Sequence, residues 1–274
     1  MELMQAAILG LVQGLSEFLP ISSSGHLIIV PYLLHWDEFQ NNLLFDIGLH
    51  LGTTVALLIF FWKDWWRIGT AFLNQILSTE RRLLKDKDSK MFLILVIGSL
   101  PAAFFGIAFQ EFVEKSVRQP LVVGVMLVVF AFILRYASKI GKGTRSLDQT
   151  RFRDSLVVGL WQALSLIPGV SRSGSTITGA LLLGFDKETA VRFSFLLSTP
   201  AIVGVGIIKL KDLVQMGLSD QAGVFLVGFL VSAVSGYLVI KFLLNYIKTH
   251  SFDVFVKYRI IVGAVIIILS LIGY

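Results

Sequence analysis

The chain has no cysteine in 274 residues. Disulfides, thiolate metal sites, iron–sulfur clusters and a cysteine nucleophile are therefore excluded. Charge is scarce as well: Asp, Glu, Lys and Arg together make up 15% of the chain, too little to cover the surface of a soluble protein of this length. Proline occurs only six times and histidine four times, so each one is worth placing. No basic segment followed by a short apolar run and a small-residue cleavage site opens the chain, so no cleavable signal is expected. What fills the space is apolar: 55% of residues are hydrophobic and the mean hydropathy is +0.79. The apolar residues come in long blocks, so the composition points to a polytopic all-α membrane protein and away from soluble enzymes and disordered chains. The net charge of +6 does not mark a nucleic-acid binder, because basic residues have another use in a membrane protein.

Six stretches read as membrane spans: 43–62, 91–110, 121–136, 190–208, 224–247 and 260–274. Each crosses, or nearly crosses, a hydrocarbon core of about 30 Å. Two further apolar stretches, 3–34 and 155–184, are interrupted by Pro20 and a serine–glycine run, and by Pro168-Gly169 and a second such run. Lys63, Arg67, Arg81, Arg82, Lys85, Lys87 and Lys90 crowd one loop, and Lys139, Lys142, Arg145, Arg151 and Arg153 another. Lys248, Lys257 and Arg259 precede the last span, whereas residues 111–120 carry few basic groups. The positive-inside rule places the three basic loops in the cytoplasm. The loop charges then alternate consistently if both broken stretches are re-entrant hairpins, the first entered from outside and the second from inside. Reading each as one kinked span spoils the alternation in one half.

The broken stretches resemble each other. Gln13 through Pro20-Ile21-Ser22-Ser23-Ser24-Gly25 sets beside Gln162 through Pro168-Gly169-Val170-Ser171-Arg172-Ser173-Gly174, with one residue of slippage at the proline. Gly98 and Gly106 pair more weakly with Gly228 and Gly236, and Gly124 with Gly263. The expectation is a single integral membrane domain over 1–274. It would hold two inverted-topology repeats, about 1–140 and about 150–274. Each repeat would be a re-entrant broken-helix hairpin followed by three transmembrane helices, an odd number of crossings.

Non-helical backbone at membrane depth survives only when buried in protein or facing a wet cavity. Hydroxyls and free N–H groups at a half-helix start suit an anion, and Arg172 adds a planar cationic fork. An arginine inside an apolar segment is costly unless it has a partner; a plain salt bridge to Glu17 is the structural alternative. Gln13 and Glu17 share one helix face. Ser23, His26 and Glu17 lie within ten residues and make a candidate nucleophile, base and orienter. Asp46 and His50 form a second polar pair, suited to a supporting shell or to a simple interhelical bond. Glu188 and Arg192 have the spacing of a boundary ion pair, and Trp62, Trp65 and Trp66 read as interfacial anchors.

The run Gln13 to Leu27 closely resembles the amino-terminal signature of the undecaprenyl-diphosphate phosphatases, also called bacitracin-resistance proteins. Pro168 to Gly174 resembles their second signature, and Phe193-Ser194-Phe195-Leu196-Leu197 and the length agree. The resemblance implies a membrane hydrolase that cuts the terminal phosphate from undecaprenyl diphosphate and so recycles the lipid carrier of cell-wall synthesis. It places Glu17, Ser23, His26 and Arg172 at catalytic positions. Ser22, Ser24, Gly25, Ser171, Ser173 and Gly174 fall in the phosphate-contacting loops. A divalent cation, Mg2+ or Ca2+, is implied. Gln13 stands where some members carry glutamate, and since it cannot ionise, Glu17 must carry any charged metal-ligand role.

The expected partners are the polyprenyl diphosphate and membrane lipids, with a homodimer left open. The expected location is the cell membrane, with the site open to the outer face. In the expected mechanism Ser23 attacks phosphorus and His26 takes its proton, or His26 is itself the nucleophile. Glu17 orients His26 or holds the metal. A flippase or anion transporter using the same site is the main rival; a scaffold and an intramembrane serine protease are weaker ones.

Overall fold

The computed structural model describes residues 2–39, 42–78, 86–141, 143–216 and 222–273. Those residues form helices and connecting turns. α1 (Glu2–Phe18) and α2 (Ser23–Leu34) make the first broken pair. α3 (Leu43–Phe60), α4 (Trp62–Leu77), α5 (Lys87–Phe112) and α6 (Pro120–Ile140) follow. α7 (Phe152–Leu164) and α8 (Arg172–Leu182) make the second broken pair, followed by α9 (Lys187–Met216), α10 (Ala222–Tyr246) and α11 (Asp253–Leu271). Among the described residues, α5, α6, α10 and α11 are long and apolar enough to cross a membrane, and the bent pair α3–α4 passes the same test. The expected span 190–208 lies within α9. Large apolar side chains stand outward on these helices, as Phe104, Ile107, Val234 and Ile261 do. That is the pattern of a surface solvated by lipid rather than water.

Both breaks have the same local cause. Proline removes a backbone donor and disfavours helix in the residue before it. The chain then turns through a serine with positive φ, Ser22 at 77° and Ser171 at 74°. Each of these serines caps the next half-helix: Ser22 Oγ accepts the Gly25 N–H at 3.3 Å, and Ser171 Oγ accepts the Gly174 N–H at 3.1 Å. Non-glycine residues rarely adopt this backbone, and two such serines at matched positions mark a built feature.

Matched contacts also recur between the halves. α1 packs on α10 and α7 on α5, while α6 lies against α11. Gly10 meets the backbone of Gly228, and Gly159 meets that of Gly98. Gly124 and Gly263, paired in the sequence, face each other: a Cβ on Gly263 would stand 2.7 Å from the Gly124 carbonyl oxygen. At Gly14 a methyl group would strike Ser235 Oγ and approach both the Gly236 nitrogen and the Ser232 oxygen at 2.8 Å. Gly14→Ala is therefore expected to lower stability by about 1–3 kcal/mol, measurable as a lower Tm in detergent. An unchanged Tm would mean that α1 and α10 are not packed this closely.

The basic stretch after Trp62 differs from the expected loop. Residues 62–77 form α4, bent 73° from α3. Ile68 is buried and the Phe72 ring stacks on Phe92 at 4.1 Å, while Trp62 and Trp66 point outward. The 3.6-residue apolar period carries the helix, and the charges that suggested a loop occupy its other face. Arg81, Arg82, Lys85 and Lys142 lie outside the described residues. Arg192 does not pair with Glu188 as expected. It donates to both oxygens of Asp64 on α4, at 2.7 and 2.9 Å.

Candidate active site

The two breaks meet inside the helix bundle, and Glu17 lies where they meet. One turn separates Gln13 from Glu17, so both side chains leave α1 on one face. Glu17 is only 7% exposed. Its Oε1 accepts from Arg172 Nη2 at 2.6 Å. Its Oε2 accepts from Ser23 Oγ at 2.5 Å and from Gln13 Nε2 at 3.0 Å. The first residue of α2 and the first residue of α8, 149 positions apart in sequence, thus converge on one buried carboxylate. The plain Glu17–Arg172 salt bridge weighed from the sequence is formed. It does not use up Arg172: the guanidinium keeps 24% of its side chain exposed, and its fork has further N–H groups to offer.

Most of the loop hydroxyls hold the loops together. Ser22 Oγ accepts the Gly169 N–H from the opposite loop at 3.2 Å and lies 3.4 Å from Ser24 Oγ. Ser173 donates to the Leu19 carbonyl at 2.9 Å, and its Oγ is 3.2 Å from Ser171 Oγ. The N–H groups of Gly25 and Gly174, expected to face phosphate, are taken by their caps. Among the described residues, the N–H groups of Ser23 and Ser24 on α2, and of Arg172 and Ser173 on α8, have no protein acceptor. These four are the free donors of the two helix starts.

His26 departs from its expected partners. Its Nδ1 lies 2.7 Å from the Ser22 carbonyl oxygen and its Nε2 lies 2.7 Å from Tyr258 Oη. It bonds neither Glu17 nor Ser23. It stands three positions after Ser23, but the ring folds back over the carbonyl of Ser22, one turn earlier. The proton of Ser23 is directed to Glu17 instead. The histidine beside the carboxylate is His50, whose Nδ1 is 2.9 Å from Gln13 Nε2 and 3.6 Å from Glu17 Oε2. Of the expected Asp46–His50 pair, only His50 reaches the site; Asp46 pairs with Arg118 at 2.9 Å.

Two residues escaped the sequence reading. Arg259, assigned there to a cytoplasmic loop, is fully buried in α11. It donates to Pro20 at 3.1 Å, to Gly169 and Val170 at 3.0 Å each, and to Leu127 at 3.2 Å, all backbone carbonyls. One guanidinium thereby satisfies carbonyls left open by both broken helices. Tyr258 is its neighbour. The available signal was an arginine seven positions into an apolar helix, the same oddity that singled out Arg172.

A hard cation finds oxygen here. Glu17 supplies a carboxylate, and Gln13 Oε1 is buried with no hydrogen-bond partner. No cluster of three His, Asp or Glu side chains able to hold a metal occurs among the described residues. Glu17 and Gln13 Oε1 are oxygen donors of the kind a hard cation takes, but two side chains alone do not fill its shell.

Comparison with known proteins identifies the family of the chain. The sequence profile of the family described as Bacitracin resistance protein BacA matches residues 6–265. A protein of Elusimicrobium minutum named undecaprenyl-diphosphatase is 45% identical over 97% of this chain and 97% of its own. Proteins of the same name from Pelotomaculum thermopropionicum and Thermodesulfovibrio yellowstonii are 43% and 41% identical, each over 98% of this chain and 97% of their own. Matched nearly end to end, with both serine–glycine breaks inside the matched region, the chain belongs to the bacitracin resistance protein BacA family.

Proposed function

We propose that this chain is a multi-pass membrane undecaprenyl-diphosphatase. It removes the terminal phosphate of undecaprenyl diphosphate, releases inorganic phosphate and returns the carrier lipid as its monophosphate. That recycling serves peptidoglycan synthesis and confers bacitracin resistance. The observation that carries the reaction is the convergence of Ser23 and Arg172 on Glu17. Ser23 Oγ attacks the terminal phosphorus in line, and its proton passes to Glu17. The bond to the lipid monophosphate breaks, and water then hydrolyses the phosphoserine. Arg172 and the free N–H groups at the two helix starts stabilise the charge on the transferring phosphoryl group. As water displaces Ser23 Oγ, Glu17 returns the proton to it and the water proton stays with the released phosphate; His26, held by Ser22 and Tyr258, takes no proton in either step. A nucleophilic His26 is disfavoured because Tyr258 already occupies its Nε2.

Glu17 and Gln13 Oε1 would hold a Mg2+ or Ca2+ ion together with the diphosphate oxygens. When bound, that ion adds charge neutralisation. The two halves are read as inverted repeats in the cell membrane, with the site open to the outer face. The scarcity of basic residues at 111–120, against the basic stretches at 62–91 and 136–155, supports that orientation.

Purified protein in detergent, given undecaprenyl diphosphate, is expected to release phosphate over many turnovers. Chelation of divalent cations is expected to slow release by at least about tenfold, with recovery on adding Mg2+ or Ca2+. A flippase needs no serine held at 2.5 Å from a carboxylate. Lipid transfer across sealed vesicles with no phosphate released would nevertheless overturn the hydrolase reading.

A further inference from the structure

His50 reaches the site from α3, a helix that the reaction proposed above does not use. Its Nδ1 is 2.9 Å from Gln13 Nε2. The same amide nitrogen is 3.0 Å from Glu17 Oε2, and an ionised carboxylate only accepts, so this is the donating end of the Gln13 amide. An amide N–H2 cannot accept, so Nδ1 is the acceptor and the proton of the neutral ring sits on Nε2. The lone pair is thereby used, and His50 has one N–H left to give. Among the described residues that N–H has no protein acceptor. It does not face lipid. Val55, Leu58 and Ile59 make the outward stripe of α3, centred about 130° around the helix from His50. Thr53, Thr54 and Leu57, one to two turns on along its own face, are buried, yet the His50 side chain is 33% exposed. The opening beside it therefore lies between helices. Two partly open donors thus flank the buried carboxylate: Arg172 on Oε1, and His50 with its Nδ1 3.6 Å from Oε2.

We propose that His50 is a substrate-binding residue whose Nε2–H donates to a phosphate oxygen of the diphosphate. This rests on the reaction proposed above. Ser23 Oγ and His50 Nδ1 share one neighbour, Glu17 Oε2, so a diphosphate in line with Ser23 meets the imidazole edge as well as the Arg172 fork. With its lone pair taken by Gln13, the ring moves no proton and serves only to bind. Gln13 fixes the tautomer that makes the ring a donor.

His50→Gln keeps both bonds of the neutral ring, because a glutamine oxygen can accept from Gln13 while its N–H2 donates to phosphate. His50→Leu keeps the bulk and loses both. In His50→Leu, KM for undecaprenyl diphosphate and the inhibition constant of added inorganic phosphate are each expected to rise about tenfold, with kcat within about threefold, the pattern of lost uniform binding. His50→Gln is expected to recover most of both losses, which a space-filling role would not produce. The wild-type chain labelled with 15N-histidine tests the contact directly. It has four histidines, the one missing in His50→Gln is His50, and its Nε2 resonance should move on titration with inorganic phosphate in the presence of Mg2+. Wild-type phosphate inhibition in a folded His50→Leu protein, a His50→Gln protein no better than His50→Leu, or an unmoved resonance would each overturn the proposal. If His50→Leu does not fold, the titration decides alone. Failure of the underlying reaction reads out separately, as no phosphate released from undecaprenyl diphosphate by the wild type.

Discussion

Alanine at Ser23 is expected to lower phosphate release by about a thousandfold or more, a barrier increase of at least about 4 kcal/mol. The substitution removes the attacking oxygen and leaves Glu17 its other two partners, Arg172 and Gln13. The carboxylate therefore stays compensated and the protein folded. Residual turnover would come from water attacking phosphorus directly, aided by Arg172 and the helix-start donors. Wild-type protein quenched during turnover should carry a phosphate on the peptide containing Ser23, and Ser23→Ala should carry none there. Activity within tenfold of wild type in the folded variant would remove Ser23 as the nucleophile.

Loss of Arg172 should cost about a hundredfold or more in kcat, the scale seen when one charge-stabilising donor is taken from an acyl-transfer site. Two effects combine in Arg172→Ala. The phosphoryl group loses its fork, and Glu17 is left buried without its cation, which is itself destabilising. Arg172→Lys separates them. It keeps a positive charge near the carboxylate but loses the planar geometry that spans two phosphate oxygens. Its expected activity lies between alanine and wild type, with a Tm nearer wild type. Near-normal hydrolysis by a folded Arg172→Ala protein would overturn the assignment of Arg172 to substrate.

Much of this arrangement is legible in the sequence because it depends on local rules. Apolar runs of span length, broken at Pro20 and Pro168, locate the helices and the two interruptions. The repeated Ser–Gly blocks predict two matched half-helix starts, and Ser22 and Ser171 turn out to share cap and backbone geometry. An arginine in an apolar segment is expensive, so Arg172 stands out unaided. α4 is less legible because Lys63, Asp64 and Arg67 stand among its apolar residues and have the look of a charged loop.

Partner choice was the part that stayed hidden. Ser23 and His26 are close in sequence, yet their hydrogen bonds go to Glu17 and Tyr258. Arg259 stands seven positions into an apolar helix, an oddity the sequence does show, but only its depth reveals which carbonyls it holds. Residue types and spacing along one helix decide which atoms are available and which face they share. Hydrogen bonds between helices depend on distances of a few ångströms across elements more than a hundred residues apart, and no periodicity encodes these. The sequence alone determined a membrane-embedded helical protein with two serine–glycine breaks around an acidic and a basic side chain. The tertiary structure decided that Glu17 receives Ser23, that Tyr258 holds His26, and that Arg259 closes the carbonyls of both loops. The reason is that buried polar groups away from water must find partners, and packing determines which partners are within reach.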